Sequence, residues 1–400
     1  MSRVTVVGGA GAMGRIIVRD LIETAPREVE IVVADRDLAA AQQVVRGFAK
    51  RAKVMEVDAT DVATTTRALC SSTVVLNACH HSFNLRVMDA ALAAGAHYAD
   101  LGGLFHVTRE QLKLHDQFKR ASLLAICGMG SAPGIVNIMA RAAADRLDEV
   151  HEIHIAVGTV DRTPRKNAGV LSTSYTIHTV LDEASQPAAL FTNGKLQFVE
   201  PLSGGDAVDF PAPVGRQYPA RTIHSELATL PASFKSKGVR EVSFRIAFPD
   251  GLTDRLRFLH RLGMTSTKPI AHGRANGVGP RDVLLALLAN QPTPTATGPL
   301  DEYEILRVSV HGKRGGKAVE DVSDCHVPGI PDWKLGVDVD TGCPPSIVAQ
   351  MLIAGEIDAR GVLPPERAVP PAPFFRALAD RGMRITRRTN ASKRTTVRKR

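Results

Sequence analysis

The sequence predicts an α/β protein whose N-terminal part is a doubly wound parallel sheet of the Rossmann type, followed by a second, mostly antiparallel region. Three observations carry this. An apolar run, Val4 to Val7, reads as a buried strand, and GAGAMG (Gly9 to Gly14) follows it before helix-spaced Ile16, Ile17 and Leu21. A second apolar strand, Ile31 to Ala34, ends at Asp35, about 20 residues beyond the turn. Further apolar runs then alternate with helical patterns as far as the helix at Ile135.

The turn has the spacing G-x-G-x-x-G. Gly9 lets the turn close, Gly11 lets a pyrophosphate approach the backbone, and Gly14 lets helix pack on strand, so the amides of Ala12 and Met13 face the phosphates. Asp35 is placed to bind the adenosine ribose hydroxyls and to repel a 2′-phosphate. Arg36 beside it could attract one. NAD is therefore preferred over NADP as the expected cofactor.

Taken in order, the next elements are a helix near Leu38 to Phe48 and a strand near Lys53 to Val57. VDATD follows, where Asp58 and the Ala59 amide are candidates to border adenine, or Asp58 or Asp61 to cap a helix. The strand Val74 to Asn77 opens into NACHHSFN, and Asn77, Ala78 and Cys79 fall at the carboxyl edge where cofactors bind. A helix over 85–94 and the strand His97 to Asp100 bring DLGG to the same edge. Thr108 and Gln111 form a capping-box pattern for a helix reaching Arg120. GMGSAPG, after the strand Leu123 to Ile126, reads as the hinge out of the first domain.

Beyond the hinge, 151–157, 241–248 and 303–311 read as strands, with helices over 174–183, 281–288 and 344–352. His81, or His80 beside it, is a candidate proton carrier. Adjacent histidines cannot share a helical or strand face as paired ligands, and no His or Cys spacing suggests a metal.

Composition narrows the function classes. A net charge of +9 resembles a nucleic-acid signal, but seven cations lie in the C-terminal tail (Arg387, Arg388, Lys393, Arg394, Arg398, Lys399, Arg400), leaving the body near neutral. The tail, 384–400, is expected to be disordered. One Trp and four Tyr offer no aromatic platform, which argues against nucleic acid. Five scattered cysteines fit reduced cytoplasmic thiols. The uncharged stretch 121–140 has membrane-helix length, but Gly128, Gly130, Pro133 and Gly134 interrupt it, so no membrane span is expected.

Taken together, GAGAMG, YADLGG (Tyr98 to Gly103), GMGSAPGIVN (Gly128 to Asn137), HSELATLP (His224 to Pro231), REVSFRIAFP (Arg240 to Pro249) and TGCPPSIVAQMLIAGEI resemble the saccharopine dehydrogenase-like oxidoreductases, most closely their lysine 6-dehydrogenase branch. The resemblance implies a Rossmann domain over 1–128, an α+β catalytic and dimerisation domain over 129–343, and a segment over 344–383 returning to the first domain. It implies hydride exchange between nicotinamide and a carbon bearing nitrogen, on an amino-acid or amine substrate, in a homodimer. Asp100 and Glu226 then become candidates to stabilise an iminium, and His224 to accept the proton. Arg165 or Lys166 would hold a substrate carboxylate, with Tyr175 as a further substrate contact. Lysine oxidation at its terminal amine to a cyclising semialdehyde is the first expected reaction. A saccharopine-type or enoyl reductase and a non-catalytic dinucleotide-binding protein are the alternatives.

Overall fold

The computed structural model describes residues 2–48, 50–167, 169–171, 176–249, 251–272 and 275–391. The first sheet has seven parallel strands in the order Gly361–Leu363, Leu124–Ile126, His97–Asp100, Val74–Asn77, Arg3–Val7, Glu30–Asp35, Ala52–Glu56. Val4, Val6, Ile31, Val33, Val74 and Leu76 are all fully buried, as strands covered on both faces require. The order reverses between Arg3–Val7 and Val74–Asn77. That switch point opens a crevice at the carboxyl ends of the strands, with the glycine turn on one side and the Asn77 loop on the other.

The second sheet runs Lys195–Val199, Ala188–Thr192, Glu241–Ile246, Glu149–Asp161, Glu302–Arg314, Lys317–Val327, Arg384–Ala391. Its one parallel pair joins Glu241–Ile246 to Glu149–Asp161; the other neighbours are antiparallel. Ile153, Ile155, Phe244, Leu306, Val308 and Val310 on its inner face share one continuous core with the helices Ala12–Thr24, Ile135–Ala144 and Val339–Ile353. The two sheets are thereby joined through packed helices. A buried ion pair between Arg381 and Asp20 (2.6 Å) also ties the end of the chain to the first helix.

Two expectations fail here. The charged tail does not start disordered at 384, because Arg384–Ala391 is the edge strand of the second sheet. Arg387 reaches Asp321 at 2.8 Å and Arg388 reaches Asp324 at 3.3 Å, both acids being buried on the neighbouring strand. The tail's own sequence lacks acids, but its partner strand supplies them. Residues 392–400 lie outside the described residues. The second failure concerns Thr108, which starts no helix. Helices Leu104–Leu112 and His115–Arg120 replace the expected single one, and Thr108 and Gln111 are buried inside the first, turned to other tasks.

Candidate active site

The glycine turn is closed by packing at its ends and open in its middle. A Cβ on Gly14 would collide with the Gly8 carbonyl oxygen, and one on Gly9 would lie 2.6 Å from Val33 Cγ1. At exposed Gly11 the nearest atom is the Gly8 oxygen, at 3.2 Å. Helix Ala12–Thr24 begins there with no side-chain cap and no acid in its first turn, so the amides of exposed Ala12 and half-buried Met13 are available to an anion. Asp35 stands against the same turn, accepting the Ala10 amide at 3.0 Å and the Asp37 amide at 3.1 Å. Arg36 beside it is exposed. Asp58 is exposed and accepts the Thr60 amide at 2.9 Å, a bond that holds its carboxyl below the usual range. Asp61, not Asp58, caps helix Val62–Leu69, while Ala59 packs on the core. An open turn between packed glycines, with a carboxylate at its flank, fits a dinucleotide.

Across the switch point, Asn77 is buried and shapes its own loop. It donates to Asn84 Oδ1 (2.9 Å) and the Tyr98 hydroxyl (3.1 Å), and accepts the Cys79 amide (3.1 Å). The Ala78 amide bonds the Val7 carbonyl at 2.8 Å. Cys79 sits so close to Gly8 that a Cβ there would lie 2.9 Å from its sulfur. Burial, with help from Asp35, pushes its thiol up to about 12, so it is no nucleophile at neutral pH.

Asp100 does not have the role expected of it. The carboxyl is fully buried and accepts four donors: the Tyr98 hydroxyl (2.9 Å), the Gln111 amide, and the backbone amides of Gly102 (2.9 Å) and Gly128 (2.8 Å). Burial pushes its pKa up against those donors. With both oxygens engaged inside the protein, Asp100 fastens DLGG to GMGSAPG and offers nothing to an iminium.

The opposite wall comes from the second domain. Ser225 donates to the Leu104 carbonyl at 2.9 Å and so accepts from Thr108 Oγ1 at 3.0 Å, docking His224-Ser225-Glu226 on helix Leu104–Leu112, which follows the Asp100 loop. His224 stacks on Phe244 with ring centroids 3.7 Å apart. Its Nδ1 lies 3.1 Å from Glu226 Oε2 and its Nε2 3.5 Å from Glu183 Oε1. Burial alone would depress this imidazole, yet Glu226 and Glu183 outweigh it and push the pKa up to about 10. The two carboxylates thus favour the charged imidazole, which counts against His224 as the proton acceptor expected. Glu226 is fully buried, and its Oε1 has no hydrogen-bond partner.

Helix Ile177–Glu183 brings Glu183 to His224 and Asp182 to the two histidines of the Asn77 loop. His81 is half-buried, and burial followed by the neighbouring His80 lowers its pKa to about 4. Arg165 was expected to hold a substrate carboxylate, but Asp161 (2.9 Å) and Glu302 (2.6 Å) already occupy it; burial works to lower its pKa and those two acids raise it. Lys166 is exposed on a two-residue strand paired with Thr295–Ala296. Tyr175 lies outside the described residues. Asp182 and Glu183 were missed by sequence reasoning. Their one sequence signal is His178 with Asp182 at i,i+4 on a short helix.

Residues 4–126 match the family model described as Saccharopine dehydrogenase NADP binding domain, and residues 130–383 match Saccharopine dehydrogenase C-terminal domain. The chain belongs to the saccharopine dehydrogenase family. It is an NAD(P)-dependent oxidoreductase with the fold expected from its sequence. It is similar to carboxyaminopropylagmatine dehydrogenase of Synechocystis sp., with 24% identity and 96% of each chain covered. It is similar also to carboxynorspermidine synthase of Vibrio alginolyticus, with 21% identity and 94% of each covered. Among solved structures, apo saccharopine dehydrogenase (L-Glu forming) from Saccharomyces cerevisiae superposes with a TM-score of 0.73 over 98% of this chain and 100% of that one, at 17% identity. No helix among the described residues is long and apolar enough to cross a membrane.

Proposed function

We propose that the protein exchanges hydride between NAD(P) and a carbon–nitrogen bond in an amine that also carries a carboxylate, the N-carboxyalkyl amine class. Two similar enzymes that match almost end to end have names describing such compounds, which supports the class. The observation that carries the reading in this chain is Glu226 Oε1, a buried carboxylate oxygen with no partner, on the segment docked at the edge where nicotinamide belongs. A substrate N–H is the donor that oxygen lacks.

The cofactor, when bound, supplies the hydride acceptor or donor. The chain's own groups do the rest. The glycine turn and Asp35 place the dinucleotide. Glu226 accepts the proton of the bound ammonium before the C–H bond breaks, which frees the nitrogen lone pair to form the C=N bond as hydride leaves; in the reverse direction it returns that proton. His224, held as a cation between Glu226 and Glu183, prevents these two acids from crowding the site with uncompensated charge.

The test is to incubate the protein with NAD or NADP and a panel of N-carboxyalkyl polyamines, saccharopine, L-lysine and other amino acids, following the near-ultraviolet absorbance of reduced nicotinamide. Turnover is expected on N-carboxyalkyl amines, and in reverse on a free amine plus a carboxylated aldehyde. Turnover confined to L-lysine would replace this reading with oxidation of a primary terminal amine. Coenzyme binding without turnover on any amine would overturn both.

A further inference from the structure

We propose that His80, His81 and Asp182 bind one divalent transition-metal ion, of the Zn2+ or Co2+ class, joining the Asn77 loop to helix Ile177–Glu183. One donor atom from each residue, an imidazole nitrogen of each histidine and a carboxylate oxygen of Asp182, lies within 4.8 Å of the other two. His81 Nε2 is 3.6 Å and His80 Nε2 4.0 Å from Asp182 Oδ2. Those separations are too long for hydrogen bonds. Ligands about 2.0–2.2 Å from a shared ion stand roughly 3.3–3.6 Å apart around a tetrahedron, so a few tenths of an ångström of closing suffices.

Three further observations point the same way. His80 Nε2 is buried and has no hydrogen-bond partner, so it turns a polar atom toward the cluster with nothing to meet it. Its Nδ1 lies 3.0 Å from Ser82 Oγ and accepts the Ser82 amide at 3.4 Å, so an ion at Nε2 moves the imidazole proton to Nδ1, where Ser82 Oγ can accept it. Asp182 is held by its other oxygen, Oδ1, to Arg281, which is itself fixed by the Thr265 carbonyl (2.7 Å) and Ser185 Oγ (3.1 Å). Oδ2 is thus the atom presented to both imidazoles. Sequence adjacency does not prevent convergence, because His80 precedes and His81 opens a single 3-10 turn rather than lying along a helix or strand. With three protein donors, a fourth position stays open to water or to His178, whose ring centre is 6.0 Å from that of His80.

A second cluster, Glu152, His154 and His311, provides the contrast. There His154 is spent on Glu152 at 3.1 Å and on Ser243 at 2.8 Å, and its atoms have no gap to fill.

The experiment titrates Co2+, followed by its visible absorption, into full-length protein stripped with a chelator, with Zn2+ calorimetry in parallel. One ion per chain is expected. His81→Ala and Asp182→Asn, checked as folded by circular dichroism, should weaken binding at least about tenfold, and His154→Ala should not. Independently of any variant, X-ray absorption of the Co2+-loaded wild type should show a nitrogen and oxygen shell with imidazole scattering. No uptake by folded wild type, a sulfur ligand, or uptake lost in His154→Ala but kept in the other two would overturn the site. None of these readouts depends on the substrate or on turnover.

Discussion

The two walls of the cleft are made by different means. The Rossmann wall uses backbone: a turn whose Cβ positions are blocked at Gly9 and Gly14, uncapped helix amides, and one carboxylate, Asp35, fixed by amides of the same wall. The facing wall uses side chains brought from separate parts of the chain, with His224 and Glu226 from the start of one helix and Asp182 and Glu183 from the end of another. Asp100 and Glu226 show the difference at atomic scale. Both are buried acids, but Asp100 has four donors while Glu226 leaves one oxygen unmet. Satisfied buried charge holds a structure in place; unsatisfied buried charge awaits a ligand.

Changes on each wall should therefore have different consequences. The largest effect is expected from Asp100→Ala, which strands four donors and should lower unfolding stability by about 3–5 kcal/mol in urea titration. A loss below about 1 kcal/mol would return Asp100 to the list of substrate-facing groups. Next, Gly14→Ala puts a Cβ into the Gly8 carbonyl oxygen and should weaken NAD and NADP binding by about tenfold or more, measured by calorimetry. Unchanged affinity would mean that the turn is not the phosphate site.

His224→Gln tests the cation on the second wall through pH. The folded pKa of about 10 stands above the ordinary 6.5, so the stability it contributes is complete below 6.5 and is lost as pH rises toward 10. Removing the imidazole should flatten that part of the stability–pH curve, and an identical fall in wild type and variant would show that His224 is not charged. The smallest effect is expected from Arg387→Ala, at about 1 kcal/mol or less. Its side chain is 38% exposed, and Asp321 keeps Arg146 at 2.8 Å.

How much was legible in the sequence follows the same division. The glycine turn, the Asp35 strand and the parallel class of the first sheet could be read because each depends on residues close together in the chain; the strand Gly361–Leu363, which pairs with Leu124–Ile126, is not local in that sense. The tail strand could not, because the acids that neutralise Arg387 and Arg388 lie more than sixty residues earlier, at Asp321 and Asp324. Thr108 and Gln111 looked like a cap because their spacing is that of a cap; their partners, Ser225 and Asp100, are supplied by the tertiary fold. His224 read as a base because a lone imidazole titrates near neutrality, and only the approach of Glu226 and Glu183 reverses that.

The division of labour between the walls is tested most directly by Glu226→Gln, which keeps the shape and removes the charge. Coenzyme affinity by calorimetry should stay within about twofold of wild type, while kcat/KM for the amine substrate falls by about a hundredfold or more. Loss of coenzyme binding, or turnover equal to wild type, would contradict the account.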